Sequence, residues 1–146
     1  MASTPLSLSQ QEIDAGVDWV TQMYHDADTL KDVDVVSKHI TDGVTLSLGT
    51  STPLKGRKSL EELFKWKYGG CSEIEHRIQD VQVLSDRITV TLATKYTFKD
   101  GSQTAVDCFA TWYKKPGDQR ASKVEIYGDF HEVMDKLKEI QGLPSL

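Results

Sequence analysis

The chain has 146 residues, enough for one two-layer core and too few for two ordinary domains. Its 38% hydrophobic and 27% charged residues are those of a soluble globular protein, and no stretch is long and apolar enough to span a bilayer. A formal net charge of −5 speaks against nucleic-acid and membrane-surface partners, which favour a basic face. The short basic runs at 55–58 and 65–67 read as solvated loop and helix positions. Cys71 and Cys108 have neither metal-ligand spacing nor a disulfide framework. They read as free thiols of an intracellular protein, Cys71 in a loop and Cys108 in a strand. Residues 1–9 lack a basic region followed by an apolar run, so the expected location is the cytoplasm.

The first helix carries a complete start signal. Ser9 and Glu12 form a capping box, and Leu8 and Ile13 occupy the hydrophobic-staple positions. Ile13, Val17, Val20 and Tyr24 then recur at helical spacing, with Trp19 and Met23 widening the stripe. A second, shorter helix is expected over Leu30–Ile40, ended by Thr41-Asp42-Gly43. Val44, Leu46 and Leu48 alternate with polar residues as a short strand does. After a polar loop over 49–56, Ser59 and Glu62 make a second capping box for a helix bearing Leu60, Leu63 and Phe64. Gly69-Gly70 stops it.

From there the period changes to two. Four strands are expected, over Glu73–Leu84, Arg87–Lys99, Gln103–Lys115 and Ala121–Asp129. Their short turns, Ser85-Asp86, Asp100-Gly101 and Pro116-Gly117-Asp118, make an antiparallel meander, because parallel neighbours need a crossover. A last helix runs from Phe130 to Gln141, with Gly142 as its stop. The fold class is α+β, a layer of helices on a sheet. One domain spans 9–142, with loose termini at 1–8 and 143–146.

The order of these elements resembles the SnoaL-like branch of the NTF2-like superfamily from Gln10 to about Ile140. Four pieces carry the resemblance: Thr41-Asp42-Gly43-Val44, Leu54-Lys55-Gly56-Arg57, His76 at the start of the long strands, and Ile126-Tyr127-Gly128-Asp129. It implies a cone, with three helices from the N-terminal half packed on a strongly bent antiparallel sheet and a short C-terminal helix. A pocket inside the cone and a homodimer through the sheet are implied with it. The superfamily includes polyketide cyclases, ketosteroid isomerases, dehydratases and epoxide hydrolases, alongside non-enzymatic transport and assembly modules. Such a fold says where chemistry would sit and leaves its nature open.

Asp129 stands where the last strand gives way to the last helix. Strand alternation puts Tyr127 and Asp129 on one face and Gly128 on the other. The resemblance implies a general base facing the cone interior at Asp129. Asp129 and Glu132 also form a capping box, and amide donors at a cap would lower the carboxyl pKa. Asp107, an acid within a strand, is near enough in the meander to pair with Asp129 as acid and base; it could equally face solvent. The family's epoxide hydrolases carry an arginine two residues before that aspartate, where this chain has Ala105. His76 lies on an apolar face with Ile74 and Ile78, as a core histidine or as an acid/base group. His25, His39 and His131 read as surface residues.

Trp19, Tyr24 and Phe64 are the expected pocket-wall aromatics, because the first and third helices cover the mouth in similar folds. Strand parity leaves open whether Asp107 and Phe109, or Cys108 and Trp112, face inward. No nucleophile elbow, phosphate-binding glycine loop or dinucleotide fingerprint occurs, so no organic cofactor and no metal is indicated. Two functions follow. The first is a cofactor-independent acid/base enzyme on a small hydrophobic molecule: a cyclase, isomerase, dehydratase or epoxide-opening enzyme. Asp129 would be its base, Asp107 or His76 its acid, and Tyr127 its oxyanion donor. The alternative is a non-catalytic ligand-binding or protein-interaction module.

Overall fold

The computed structural model describes residues 8–30, 34, 37–48 and 52–143. Residues 31–33, 35 and 36 of the helix expected over Leu30–Ile40 lie outside them, as do the two termini apart from Leu8 and Leu143. Helix α1 spans Gln10–Leu30. Its capping box forms in full, for the Ser9 amide donates to Glu12 Oε1 (2.9 Å) and the Glu12 amide donates to Ser9 Oγ (3.1 Å). Its inward stripe buries Val20, Met23, Tyr24 and Ala27.

Strand β1 runs from Ile40 to Leu48 and pairs antiparallel with the short β2, Leu54–Lys55. Thr41-Asp42-Gly43, expected to end a helix, instead lies within β1 at an irregularity of register between Ile40 and Thr45. Helix α2, Arg57–Gly70, starts three residues earlier than expected, behind Gly56 at φ 90°. Ser59 is therefore already inside the helix, and no side chain caps its start. At that end Arg57 pairs with Asp42 (2.8 Å) and Glu61 (3.6 Å).

The glycines at the end of α2 do more than stop a helix. A Cβ on Gly70 would lie 2.5 Å from Leu137 Cδ2, so the bare backbone is what lets the last helix dock. The chain then passes straight into a strand, and Cys71 is a buried strand residue rather than a loop residue.

The meander is β3 (Cys71–Val83), β4 (Ile88–Phe98), β5 (Gln103–Tyr113) and β6 (Ala121–Gly128), each antiparallel to the next. Six strands form one sheet in the order β2-β1-β6-β5-β4-β3. The sheet is mixed, not wholly antiparallel, because β1 lies parallel to β6. The chain between them, α2 plus four strands, is long enough for the crossover that a parallel pair demands. Register shifts at Cys71/Glu73 and Ile78/Asp80 reset the alternation of β3. After the second shift the partly buried positions become Val81 and Val83, where simple alternation would give 80 and 82.

Helix α3, His131–Gln141, closes the structure, with Val133 and Leu137 buried and Gly142 at its end. No side chain caps its start, so the Asp129–Glu132 capping box is absent. Asp129 Oδ1 accepts from the His131 amide at 3.2 Å, a turn bond two residues along. Trp66 Nε1 donates to the Gly142 carbonyl (3.1 Å), tying the end of α3 to α2. One apolar core runs through α1, α2, α3 and the inner face of the sheet. Among the described residues no helix is long and apolar enough to cross a membrane.

Candidate active site

Between the helices and the inner face of the sheet lies a cavity of about 430 Å³, within the range of small-molecule sites. Its walls come from α1 (Met23, Tyr24), α2 (Phe64, Lys67), the strands and the start of α3. Gly128 and His131 stand on it and are solvent-exposed, so the cavity reaches water at the β6–α3 corner.

One polar cluster faces this space. His76 on β3 is 18% exposed and lies against α1, where its Nδ1 sits 2.7 Å from Asp28 Oδ1. The second oxygen of Asp28 accepts the His76 backbone amide at 2.8 Å. One carboxylate thus fixes both the strand and the ring of the same residue. An ionised carboxylate only accepts, so the proton between them belongs to Nδ1, and in the neutral ring the lone pair is then on Nε2. Nε2 has no hydrogen-bond partner among the described residues. Asp28 itself does not line the cavity; it stands behind the histidine.

Tyr24, one turn before Asp28 on α1, packs its ring on His76 with centroids 4.9 Å apart. Its hydroxyl accepts a hydrogen bond from Trp112 Nε1 (3.1 Å). Burial pushes the Tyr24 phenol well above its ordinary pKa, against the Trp112 hydrogen bond that pulls it down. The phenol therefore keeps its proton and can donate it in a hydrogen bond. Beside His76 in register on β4 is Thr94, whose hydroxyl contacts Cys108 Sγ on β5 at 3.6 Å. Cys108 pairs in turn with Gly128. His76 and Thr94 form one cross-strand pair and Cys108 and Gly128 another, joined diagonally by the Thr94–Cys108 contact, and all four stand on the cavity wall.

Gly128 stands opposite Cys108 because nothing larger fits. A Cβ there would meet Cys108 Cβ at 2.9 Å, the Asp107 carbonyl at 3.0 Å and the Phe130 ring at 3.1 Å. Burial raises the Cys108 thiol above its ordinary value, so it is a neutral wall group. Among the described residues no three or more His, Cys, Asp or Glu side chains gather as a metal site would.

His76, Tyr24 and Phe64 line the cavity. The expected convergence of Asp129 and Asp107 on His76 is absent. Val106, Cys108, Ala110 and Trp112 are the buried set on β5, which leaves Asp107 and Phe109 exposed on the outer face. On β6 the same alternation points Gly128 at the cavity and exposes Tyr127, whose hydroxyl donates to Glu125 (3.3 Å). Asp129 is exposed as well, held by its turn bond to His131. Trp19 also lies off the cavity. It donates to the Gln119 carbonyl (3.0 Å) and packs edge-on behind Trp112, toward the opposite end of α1.

Sequence reasoning missed Asp28. The signal was available, for the stripe Val17, Val20, Tyr24 continues at helical spacing onto position 28, where an acid stands on an apolar face.

No protein-family model matches the sequence, and no curated protein does either. Solved structures do match. A protein of Jannaschia sp. CCS1 classed as a SnoaL-like polyketide cyclase aligns with a TM-score of 0.71, over 96% of this chain and 99% of its own, at 15% identity. PrhC from Penicillium brasilianum NBRC 6234 aligns with a TM-score of 0.76, over 90% of this chain and 93% of its own, at 12% identity. An LEH-like epoxide hydrolase of M. tuberculosis gives 0.68, over 88% and 93%, also at 12% identity. At such identities the likeness is one of fold. The arrangement of helices and sheet around the cavity, together with these matches, identifies the chain's fold as the NTF2-like fold of the SnoaL-like proteins.

Proposed function

We propose that the protein is an acid/base enzyme acting on a small, mainly apolar molecule inside the cavity. The observation that carries this reading is the Asp28–His76 pair opening on an otherwise apolar space. A core histidine needs only its hydrogen bonds satisfied, whereas this one lines a cavity, with one ring nitrogen held by a carboxylate and the other without a hydrogen-bond partner among the described residues. His76 Nε2 takes a proton from the substrate and returns it to another atom or a leaving group. Asp28 is a positioning residue that also stabilises the imidazolium formed in between. Tyr24 donates a hydrogen bond to oxyanion charge as it develops. Cyclisation, isomerisation, dehydration and epoxide opening all use such a set, and the residues do not require an organic cofactor for it.

A coloured proton-transfer probe tests this. Nitrobenzisoxazole is flat and apolar; removal of its ring C–H proton by a base breaks the N–O bond and releases a cyanophenolate. The wild type is expected to accelerate this saturably, and His76→Gln to lower the rate on the order of a hundredfold with its melting temperature little changed. Asp28→Asn should cost less and shift the pH profile. Full activity in His76→Gln would leave the cavity as the binding site of a non-catalytic module.

A further inference from the structure

The cavity wall is electrostatically one-sided. Of the 22 Asp and Glu residues in the chain, none lines the cavity among the described residues. Asp28, the carboxylate behind the wall, has both oxygens engaged by His76. One lysine does line it, Lys67 on α2. Its Nζ stands 5.7 Å from the Phe64 ring centroid and 5.5 Å from that of Tyr96, which is itself almost wholly buried. No described carboxylate lies within ion-pair distance of it. Its field reaches the cavity floor, opposing the upward push that burial gives the Cys108 thiol.

An ammonium held over two aromatic faces in an apolar wall has given up part of its hydration, and the rings replace it only in part. A ligand oxygen carrying negative charge would complete its surroundings, and a contact of that kind strengthens as water is excluded. The other cationic candidate on the wall is His131, which is largely exposed and already paired with Asp135 at 3.0 Å. We infer that the cavity selects an organic anion, a flat apolar molecule bearing a carboxylate or phenolate, and that Lys67 is the residue that binds the anionic oxygen. The inference rests on the cavity being the substrate site and names the class of substrate it takes. It also orients that substrate, since the charged end lies at Lys67 and the remainder faces His76 and Tyr24.

A matched pair of probes tests it, naphthoate and its neutral analogue naphthamide, titrated by calorimetry near neutral pH into the wild type, Lys67→Met, Lys67→Arg and His76→Gln. The wild type is expected to bind naphthoate about tenfold more tightly than naphthamide. Lys67→Met should erase that preference while leaving naphthamide affinity within about twofold, and Lys67→Arg should retain it. Equal binding of the two probes by the wild type, no measurable naphthoate binding, or a preference that survives Lys67→Met would overturn the inference. So would a preference lost in His76→Gln and kept in Lys67→Met. The readout is binding, so it separates from the acid/base reading. Loss of the His76 requirement for nitrobenzisoxazole elimination with a Lys67-dependent preference intact would remove the catalytic proposal and leave this one standing.

Discussion

The two faces of one sheet carry opposite chemistry although the same strands build both. On β5 and β6 the inner face holds Cys108, Trp112 and Gly128, while the outer face holds Asp107, Phe109 and Tyr127. The inner face is poor in charge and focuses what it has on His76. The outer face spreads its charges over exposed pairs and rings, as where Arg87 and Lys123 lie over the Tyr113 ring and Tyr113 donates to Glu125. A carboxylate on that side, such as Asp107, is solvated. Asp28, half-buried behind the cavity wall, instead spends both oxygens on one residue and fixes the ring and the backbone amide of His76. Residue type nominates a catalytic acid; the face of the sheet decides whether it has anything to act on.

Substitutions on the two faces can break or sharpen this contrast. The largest difference is expected in proton transfer. His76→Gln should lower nitrobenzisoxazole elimination on the order of a hundredfold, whereas Asp129→Asn and Asp107→Asn should stay within about twofold of wild type. A large loss in Asp129→Asn would return the chemistry to the strand end. Next comes packing. Gly128→Ala forces a Cβ against Cys108 and the Asp107 backbone, and urea denaturation should show a loss of about 1–3 kcal/mol. Its outer-face neighbour Tyr127, truncated to Ala, should cost about 0.5 kcal/mol or less, as exposed positions do. Equal costs at the two positions would contradict the assignment of faces.

How much of this was legible in the sequence depends on which interaction wrote the signal. The α1 start was readable because a capping box is local, complete within Ser9–Glu12. The meander was readable because its turns are short. The second box, Ser59–Glu62, has the same letters and the third, Asp129–Glu132, the same spacing, yet neither forms. At α2 the helix starts before Ser59, and at α3 the turn places Asp129 outside bonding position for a full box. The pocket was harder for two physical reasons. Both parities of β5 contain apolar residues, and register shifts in β3 reset which residues point inward. The Asp28–His76 contact joins residues 48 positions apart, so only the packing of α1 on β3 reveals it.

A smaller effect is expected from the Trp112→Phe variant, which removes the indole donor to Tyr24. The cost should be about 1 kcal/mol in denaturation, with the phenol still protonated at neutral pH. The smallest effect belongs on the solvent side. Asp100 in the β4–β5 turn pairs with Lys136 of α3 and accepts from Ser102 (2.9 Å from the backbone amide). The Lys136 ammonium, then the Ser102 donors, hold its carboxyl well below the usual range. A depressed folded-state value means that the stabilisation is present above the unfolded-state pKa of about 4 and fades as pH falls below it. Melting of Asp100→Asn should therefore trail the wild type slightly at neutral pH and converge with it in acid. A gap independent of pH would assign the effect to the turn geometry instead.

The parallel pairing of β1 with β6 has a consequence for how the molecule is made. Ile40 aligns with Ala121 and Leu48 with Ile126, so β1 leaves the ribosome long before the strand that flanks it. Until β6 arrives, β1 has only the two residues of β2 beside it and presents an open row of amides and carbonyls. Trp19 waits as well, since its hydrogen-bond acceptor is the carbonyl of Gln119. The sheet, and the cavity it walls, can close only once β6 has been made. A nascent chain stalled before Ala121 would expose an unpaired, apolar strand, the kind of intermediate that chaperones retain and that aggregates without them.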